Sequence, residues 1–159
     1  MIRRLIEKDR AQLVDVINSI DLFKPEEKKV AVELVDETLE IEEHDEFDYN
    51  IFVYEEDGKI LGYHCTGKRY MTEGVFDLYW IVVNSSFKKK GIGTKLLRHS
   101  EEFVKKQNGY LILAETSSLN TYNDTRQFYL KNNYDVLAEI KNFYKVNDNL
   151  LIFGKYLIT

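Results

Sequence analysis

Between Asn84 and Thr94 the chain reads Asn-Ser-Ser-Phe-Lys-Lys-Lys-Gly-Ile-Gly-Thr, three consecutive lysines running into a Gly-x-Gly pair. The segment before it, Phe76 to Val83, is dense in aromatic and β-branched residues, and the segment after it carries Ile92, Leu96, Leu97, Phe103 and Val104 at helical spacing. A loop of this composition between a strand and a helix can hold an anion. The first amides of a helix are unpaired, its dipole favours negative charge, glycines let phosphate approach the backbone, and lysines attract it from a distance. A pyrophosphate fits. On spacing alone the same glycines also fit a tight turn and the lysines a solvated corner. Two other phosphate motifs are excluded: there is no Gly-Lys-Ser/Thr for a Walker loop, and Leu96 stands where a dinucleotide fingerprint needs a third glycine.

The other reactive side chains form no comparable pattern. His44, His64 and His99 share no ligand spacing, so no metal is expected. Cys65 is the single cysteine, which rules out an intramolecular disulfide or a thiolate cluster, and its neighbour His64 points to the opposite face of a strand. Trp80 is most simply a core residue.

The elements that must position the loop follow from periodicity. Ile2 to Ile6 reads as a strand, followed by a helix from about Lys8 with Leu13, Val14, Val16, Ile17 and Ile20 on one face. Pro25, with Glu26 and Glu27 in the first turn, opens an acidic helix that fades near Glu43. Ile51 and Val53, the Asp57-Gly58 turn, and Ile60 to Cys65 predict a β-hairpin. Phe76 to Val83 is expected to be the middle strand of the sheet, buried on both faces. A helix then runs from Gly91 to near Asn108-Gly109, with a strand at Tyr110 to Ala114 and a short helix from Asp124 to Lys131. Two strands close the chain, Asp135 to Tyr144 and Leu150 to Leu157, joined by an Asn147-Asp148-Asn149 turn. The helix between the strands at Phe76 and Tyr110 implies a right-handed parallel crossover inside otherwise antiparallel pairings. The fold class is therefore mixed α/β, a mostly antiparallel central sheet with helices on both faces, in one domain over residues 1–159.

With these elements in place, the chain resembles the GNAT superfamily of acyl-CoA-dependent N-acetyltransferases. The phosphate loop of that family reads Gln/Arg-x-x-Gly-x-Gly/Ala, and Lys88-Lys89-Lys90-Gly91-Ile92-Gly93 matches it with Lys88 in the first position. The family's second motif, a helix with an aromatic-Tyr pair and a Gly-Phe-like end, matches Thr125 to Tyr134, with Asn133 in the usual glycine place. The resemblance covers nearly the whole chain. It implies that the fourth and fifth strands splay apart and that acetyl-CoA, a cosubstrate, lies in the V. Backbone groups of Ile81, Val82 and Val83 would hold the pantetheine arm, and amides of Lys88, Lys89, Lys90, Gly91, Ile92, Gly93 and Thr94 the pyrophosphate. Phe128 would stand at the cofactor. Asn120 and Asn123 fall where the family often turns an Asn side chain toward the pantetheine, although each also reads as a loop or capping residue.

Acetyl transfer to an amine needs a neutral nucleophile, and an alkylamine with a pKa near 10.4 is about 3.4 units from neutral at pH 7, worth roughly 4.6 kcal/mol. The resemblance places the base on the fourth strand, at Asp77, relaying through water. Asp77 also reads as a polar residue at the strand's edge. It places the proton donor to the departing thiolate at Tyr129, which otherwise reads as a core aromatic. The amide of Val82 or Val83 would meet the oxyanion. Tyr79, on the same side of the strand as Asp77, would line the acceptor pocket.

The composition agrees with a single compact domain: 159 residues, 44% hydrophobic and 31% charged. The longest stretch without Asp, Glu, Lys or Arg is ten residues, Leu78 to Phe87, so no membrane partner is expected, and the charged N-terminus speaks against a signal peptide. The expected compartment is the cytoplasm. A net charge of −5 argues against nucleic acid as a partner. Twelve of the 27 acids lie between Glu33 and Asp57, where no Lys or Arg occurs. This stretch would either attract a cationic amine acceptor, such as a polyamine, an aminoglycoside-like compound or a protein lysine, or form a solvated helix face. A catalytically silent acyl-CoA sensor and an unrelated phosphate-binding protein remain as alternatives, and a homodimer is left open.

Overall fold

The computed structural model describes residues 1–158. One seven-stranded sheet has the order β1-β2-β3-β4-β5-β7-β6. Its N-terminal strands are β1 (Ile2–Arg4), β2 (Asn50–Glu56), β3 (Lys59–Lys68) and β4 (Val75–Val83). Its C-terminal strands are β5 (Leu111–Ser117), β6 (Asp135–Lys145) and β7 (Asp148–Tyr156). Four helices, α1 (Arg10–Asn18), α2 (Pro25–Glu40), α3 (Ile92–Lys106) and α4 (Asn123–Lys131), follow the expected chain order. Among the described residues, only β4 and β5 pair in parallel.

Local chemistry accounts for the main boundaries. Pro25 occupies the first turn of α2, and Glu27 accepts a hydrogen bond from the Lys24 amide at 2.7 Å, closing the helix entrance. The β2–β3 hairpin turns through Asp57 and Gly58, both at positive φ (51° and 75°), as a two-residue turn of the primed type requires. Helices α1 and α2 bury Leu13, Ile17, Ala31 and Val35 against Ile51, Val53, Tyr63 and Cys65 on one face of the sheet. On the other face α3 and α4 bury Leu97, Val104 and Tyr129 with Ile112, Ala114 and Phe153.

Three expectations are corrected. Strand β4 is the middle of the sheet but is not buried on both faces: Phe76, Leu78 and Val82 are buried, whereas Tyr79 is 42% exposed. A β-bulge is the reason. Cys65 pairs with Trp80 and Thr66 with Leu78, so Tyr79 is the extra residue and is turned outward. Strand β5 continues past Ala114 to Ser117, because Glu115, Thr116 and Ser117 keep pairing with β7. The β6–β7 turn is made by Val146 and Asn147, with Asn147 at φ 65°, and Asp148 already belongs to β7.

Candidate active site

The parallel pairing of β4 and β5 is confined to Val75–Asp77 opposite Leu111–Leu113. Beyond Asp77, β4 stays paired to β3 as far as Val83, and β5 stays paired to β7 as far as Ser117. The two strands therefore diverge, and backbone groups of β4 that face the gap lack a sheet partner. Ile81 and Val83 are half-buried there, while the Val82 side chain lies in the core. Unpaired backbone groups along such a gap can bind an extended amide-bearing ligand.

The gap leads to the lysine-glycine loop. Asn84 accepts a hydrogen bond from the Ser86 amide at 2.9 Å, which starts a single 3-10 turn over Ser85–Phe87. Lys89 (φ 63°) and Gly91 (φ 77°) are left-handed, and α3 begins at Ile92 with no side chain capping its first amides. A Cβ built at Gly91 would meet nothing within 4 Å, so the space above these amides is open. Lys88, Lys89 and Lys90 are exposed, and the Lys90 ammonium sits 5.0 Å from the Phe87 ring centroid. An uncapped 15-residue helix, a Gly in the left-handed region and three cations together suit a di-anionic phosphate group. Gly93 lies against Phe128 and Val83: a Cβ there would be in ordinary contact, 3.4 Å from the Phe128 ring and 3.7 Å from Val83. Phe128 is thereby brought to the junction of the loop and the gap. Ile92 contributes through its backbone alone, since its side chain is buried with Leu96. Thr94 is half-buried in the first turn of α3.

On the face shared with α1 and α2, Asp77 is held by Arg69. Nη2 of Arg69 donates to Oδ1 at 2.6 Å and Nε to Oδ2 at 3.0 Å. Arg69 Nη2 also lies 3.5 Å from Glu115 of β5. Tyr79 rests on Gly67, whose Cβ would come 3.0 Å from the ring, and stands edge-on to Tyr49 at 5.1 Å. Burial, with the charge of Asp77, pushes its phenol up to about 12, so it is neutral at any ordinary pH. Arg69 and Glu115 were missed in the sequence. The signal available was the β3–β4 hairpin, which folds Arg69 back beside Asp77.

Tyr129 is 5% exposed, packed against Phe153, Tyr134 and Phe128 at centroid distances of 5.4, 5.5 and 5.5 Å. Burial pushes its phenol well above the ordinary value. It is thus a core aromatic by position, adjacent in sequence to the ring at the gap. Asn120 and Asn123 are exposed, one opening a 3-10 turn and the other α4. Arg126 fixes that connection by donating to the carbonyls of Ser117 and Leu119, both at 2.8 Å. Cys65 is buried and its thiol is pushed up by that burial, while His64 lies on the opposite face. Among the described residues, no three His, Cys, Asp or Glu side chains are placed to hold a metal ion, and no helix is long and apolar enough to cross a membrane.

The comparisons agree with this geometry. A structure described as an acetyltransferase of the GNAT family from Desulfovibrio desulfuricans is 34% identical, with a TM-score of 0.91 and 99% of each chain covered. An aminoglycoside 6'-N-acetyltransferase complexed with coenzyme A is 20% identical, with a TM-score of 0.80, covering 100% of this chain and 98% of that one. The aminoglycoside 6'-N-acetyltransferase from Enterococcus faecium is 19% identical, with a TM-score of 0.79 and the same coverages. At those identities the last two show a shared fold. No curated protein matches the chain in sequence. The Acetyltransferase (GNAT) family matches residues 15–134, which include α2, the diverging strands, the cationic loop and α4. The chain belongs to the Acetyltransferase (GNAT) family.

Proposed function

We propose that the protein moves the acetyl group of acetyl-CoA to a cationic primary amine. The single observation that carries the donor assignment is the divergence of β4 from β5 after Asp77 and Leu113, opening directly onto the uncapped first turn of α3. In this reading the amides from Lys88 to Thr94 bind the pyrophosphate, Lys88 and Lys89 add attraction, and the free backbone of Ile81 to Val83 binds the pantetheine amides. Asn120 and Asn123, at the mouth of the β5–α4 connection, donate to the same arm. Phe128 packs along it.

Acetyl-CoA supplies the thioester carbonyl as the electrophile. The nitrogen–carbon bond forms as the carbon–sulfur bond breaks, and the amide of Val82 or Val83 carries the charge on the carbonyl oxygen. The amine sheds a proton to water linked to Asp77, whose oxygens already accept from Arg69 and keep lone pairs for that water. After attack the second nitrogen proton leaves through the same water, and the Tyr129 phenol delivers a proton to the departing sulfur and is reprotonated through water, so the products are the acetylated amine, the CoA thiol and one released proton. Tyr79 and Tyr49 form an aromatic wall for the acceptor.

A cationic acceptor is supported by Asp77 and Glu115, carboxylates that stand on the two diverging strands. Burial first, then the charges of Glu115, Asp148 and Glu27, raises the Tyr144 phenol, and Glu27 and Asp148 act the same way on Tyr122. Part of the acidic stretch after Glu33 is engaged elsewhere, with Asp36 on Arg10, Glu46 on Lys68 and Glu55 on Arg3.

Isothermal titration with acetyl-CoA and with CoA, on the wild type and on Gly91→Trp, tests the donor site. Binding by the wild type that is lost in the variant supports it, and CoA release upon addition of a di- or polyamine then supports the acceptor class. Absence of acetyl-CoA binding by folded wild-type protein overturns the reading.

A further inference from the structure

The face of the sheet that carries α3 holds a cavity of about 280 Å³. Strands β1 to β4 each contribute one lining residue, Arg4, Asn50, Lys68 and Phe76, and the C-terminal end of α3 adds Phe103 and Gln107. Strand alternation separates this cavity from the acceptor face: Phe76 packs with α3, while Asp77, one residue on, turns to the other side and meets Arg69. The cavity is also remote from the lysine-glycine loop. Helix α3 runs 15 residues, about 22 Å, from that loop to Phe103 and Gln107.

One cation of the cavity has no counter-ion. Arg3, Arg10 and Arg69 each bind a carboxylate. Arg4 donates from Nη1 to Oδ1 of Asn50 at 3.1 Å, and among the described residues no carboxylate and no helix carbonyl accepts from it. Asn50 is 5% exposed and is itself fixed by donating from Nδ2 to the Asp48 carbonyl at 2.9 Å. The Arg4 guanidinium carbon lies 4.8 Å from the Phe52 ring centroid and 6.0 Å from that of Phe103. The amide and the rings hold the fork in place, and its remaining N–H donors are open. Partial desolvation lowers Arg4 from the ordinary guanidinium value, whereas hydrogen bonds to carboxylates raise the other three. A charge drawn out of water without a partner calls for an anion.

We propose that this cavity binds a small organic monocarboxylate, with the carboxylate on the Arg4 fork and the apolar body against Phe76 and Phe103. A carboxylate matches the planar guanidinium through two parallel hydrogen bonds. Phe76, 3% exposed, and Phe103, edge-on to it at 6.5 Å, form the apolar wall. The volume equals that of roughly nine water molecules, which admits an acid the size of benzoate. One negative charge is the limit. Lys68 is already bound to Glu46, Asp45 also lines the cavity, and the C-terminal end of α3 is the negative end of its dipole. A phosphate dianion is disfavoured on all three counts.

This inference does not rest on the donor or acceptor assignment, and its test needs neither. Benzoate and isovalerate are titrated into the full chain, followed by amide chemical shifts and by calorimetry. Saturable binding of at least one, with a Kd of about 1 mM or tighter, is expected. The largest shifts are expected at Asn50, Phe103 and Gln107, and a saturating amount of CoA is expected to leave the Kd unchanged. Inorganic phosphate is expected to bind at least about tenfold more weakly. Arg4→Gln is expected to raise the carboxylate Kd about tenfold or more. Gln107→Trp, at an exposed position, fills the cavity with Arg4 in place and is expected to abolish binding, with far-UV circular dichroism verifying the fold of both variants. No saturable binding of either acid by folded wild-type protein overturns the proposal. So do displacement by CoA, phosphate binding as tight as that of the carboxylate, and unchanged affinity in a folded Arg4→Gln or Gln107→Trp variant.

Discussion

Arg69 and Asp77 meet at the point where β4 and β5 begin to part, with Nη2 2.6 Å from Oδ1, and the same nitrogen reaches toward Glu115 at 3.5 Å. One guanidinium thereby ties the last paired residue of β4 to a carboxylate on the far side of the gap. The ion pair orients Asp77, and in the proposed mechanism a shared water is its route to a proton. Asp77→Asn is expected to lower kcat by about a hundredfold or more while acetyl-CoA binding stays within a factor of two. Arg69→Gln is expected to give a smaller loss. Steady-state kinetics with titration calorimetry decide it, and a large loss in Glu115→Gln with none in Asp77→Asn would move the base to Glu115.

Tyr129 separates a chemical role from a packing role. Tyr129→Phe removes the hydroxyl and keeps the ring against Phe153, so kcat is expected to fall at least tenfold with little change in unfolding midpoint. Tyr129→Ala empties a site in the core and is expected to cost about 3–5 kcal/mol. Because burial raises the phenol, it stays protonated above pH 10, and the wild-type rate is expected to show no alkaline fall from this group below that pH. Unchanged kcat in Tyr129→Phe would leave the residue a core aromatic only.

His64 makes stability depend on pH. Its Nε2 lies 2.9 Å from Nδ1 of His99 and its Nδ1 3.0 Å from the Thr66 hydroxyl, with Phe52 stacked on the ring. Burial first, then the charge of His99, holds its pKa near 3, against about 6.5 in an unfolded chain. Burial lowers His99 too, with Glu102 opposing and Lys106 and Arg4 adding to the shift. Between those limits the unfolded state binds the extra proton, so stability is full above about pH 6.5 and is lost as pH falls toward 3. From pH 7 to 5 the loss through His64 is expected to be roughly 2 kcal/mol. Urea unfolding at both pH values should give a smaller difference for His64→Leu, even though that variant is less stable at pH 7.

In the proposed donor site the lysines of the loop act at a distance. Replacing Lys88, Lys89 and Lys90 together by Gln is expected to raise KM for acetyl-CoA several-fold, to flatten its dependence on ionic strength, and to leave kcat nearly unchanged. Amides at the start of α3 still bind in that variant. A kcat loss equal to the KM effect would contradict a purely electrostatic role.

The sequence by itself determined the order of elements, the hairpin turn at Asp57-Gly58, the loop from Asn84 to Thr94 and the Phe128-Tyr129 helix, because each is encoded by neighbours within a few residues. Asn133, at φ 64°, adopts the left-handed conformation that its place in the motif calls for. Tertiary structure decided what depends on register and on which faces are covered. Period-two alternation could not reveal that a bulge opposite Cys65 and Thr66 would turn Tyr79 outward, since an extra residue becomes visible only when two strands are paired. The Arg69 bond to Asp77 spans eight residues and the contact with Glu115 spans 46, so neither is a local signal. Asp148 read as a turn residue until β7 placed it beside Ser117, whose hydroxyl it accepts. The exposure of β6 likewise became visible only in the folded chain, because an apolar strand reads the same in sequence whether a helix, a partner or water covers it.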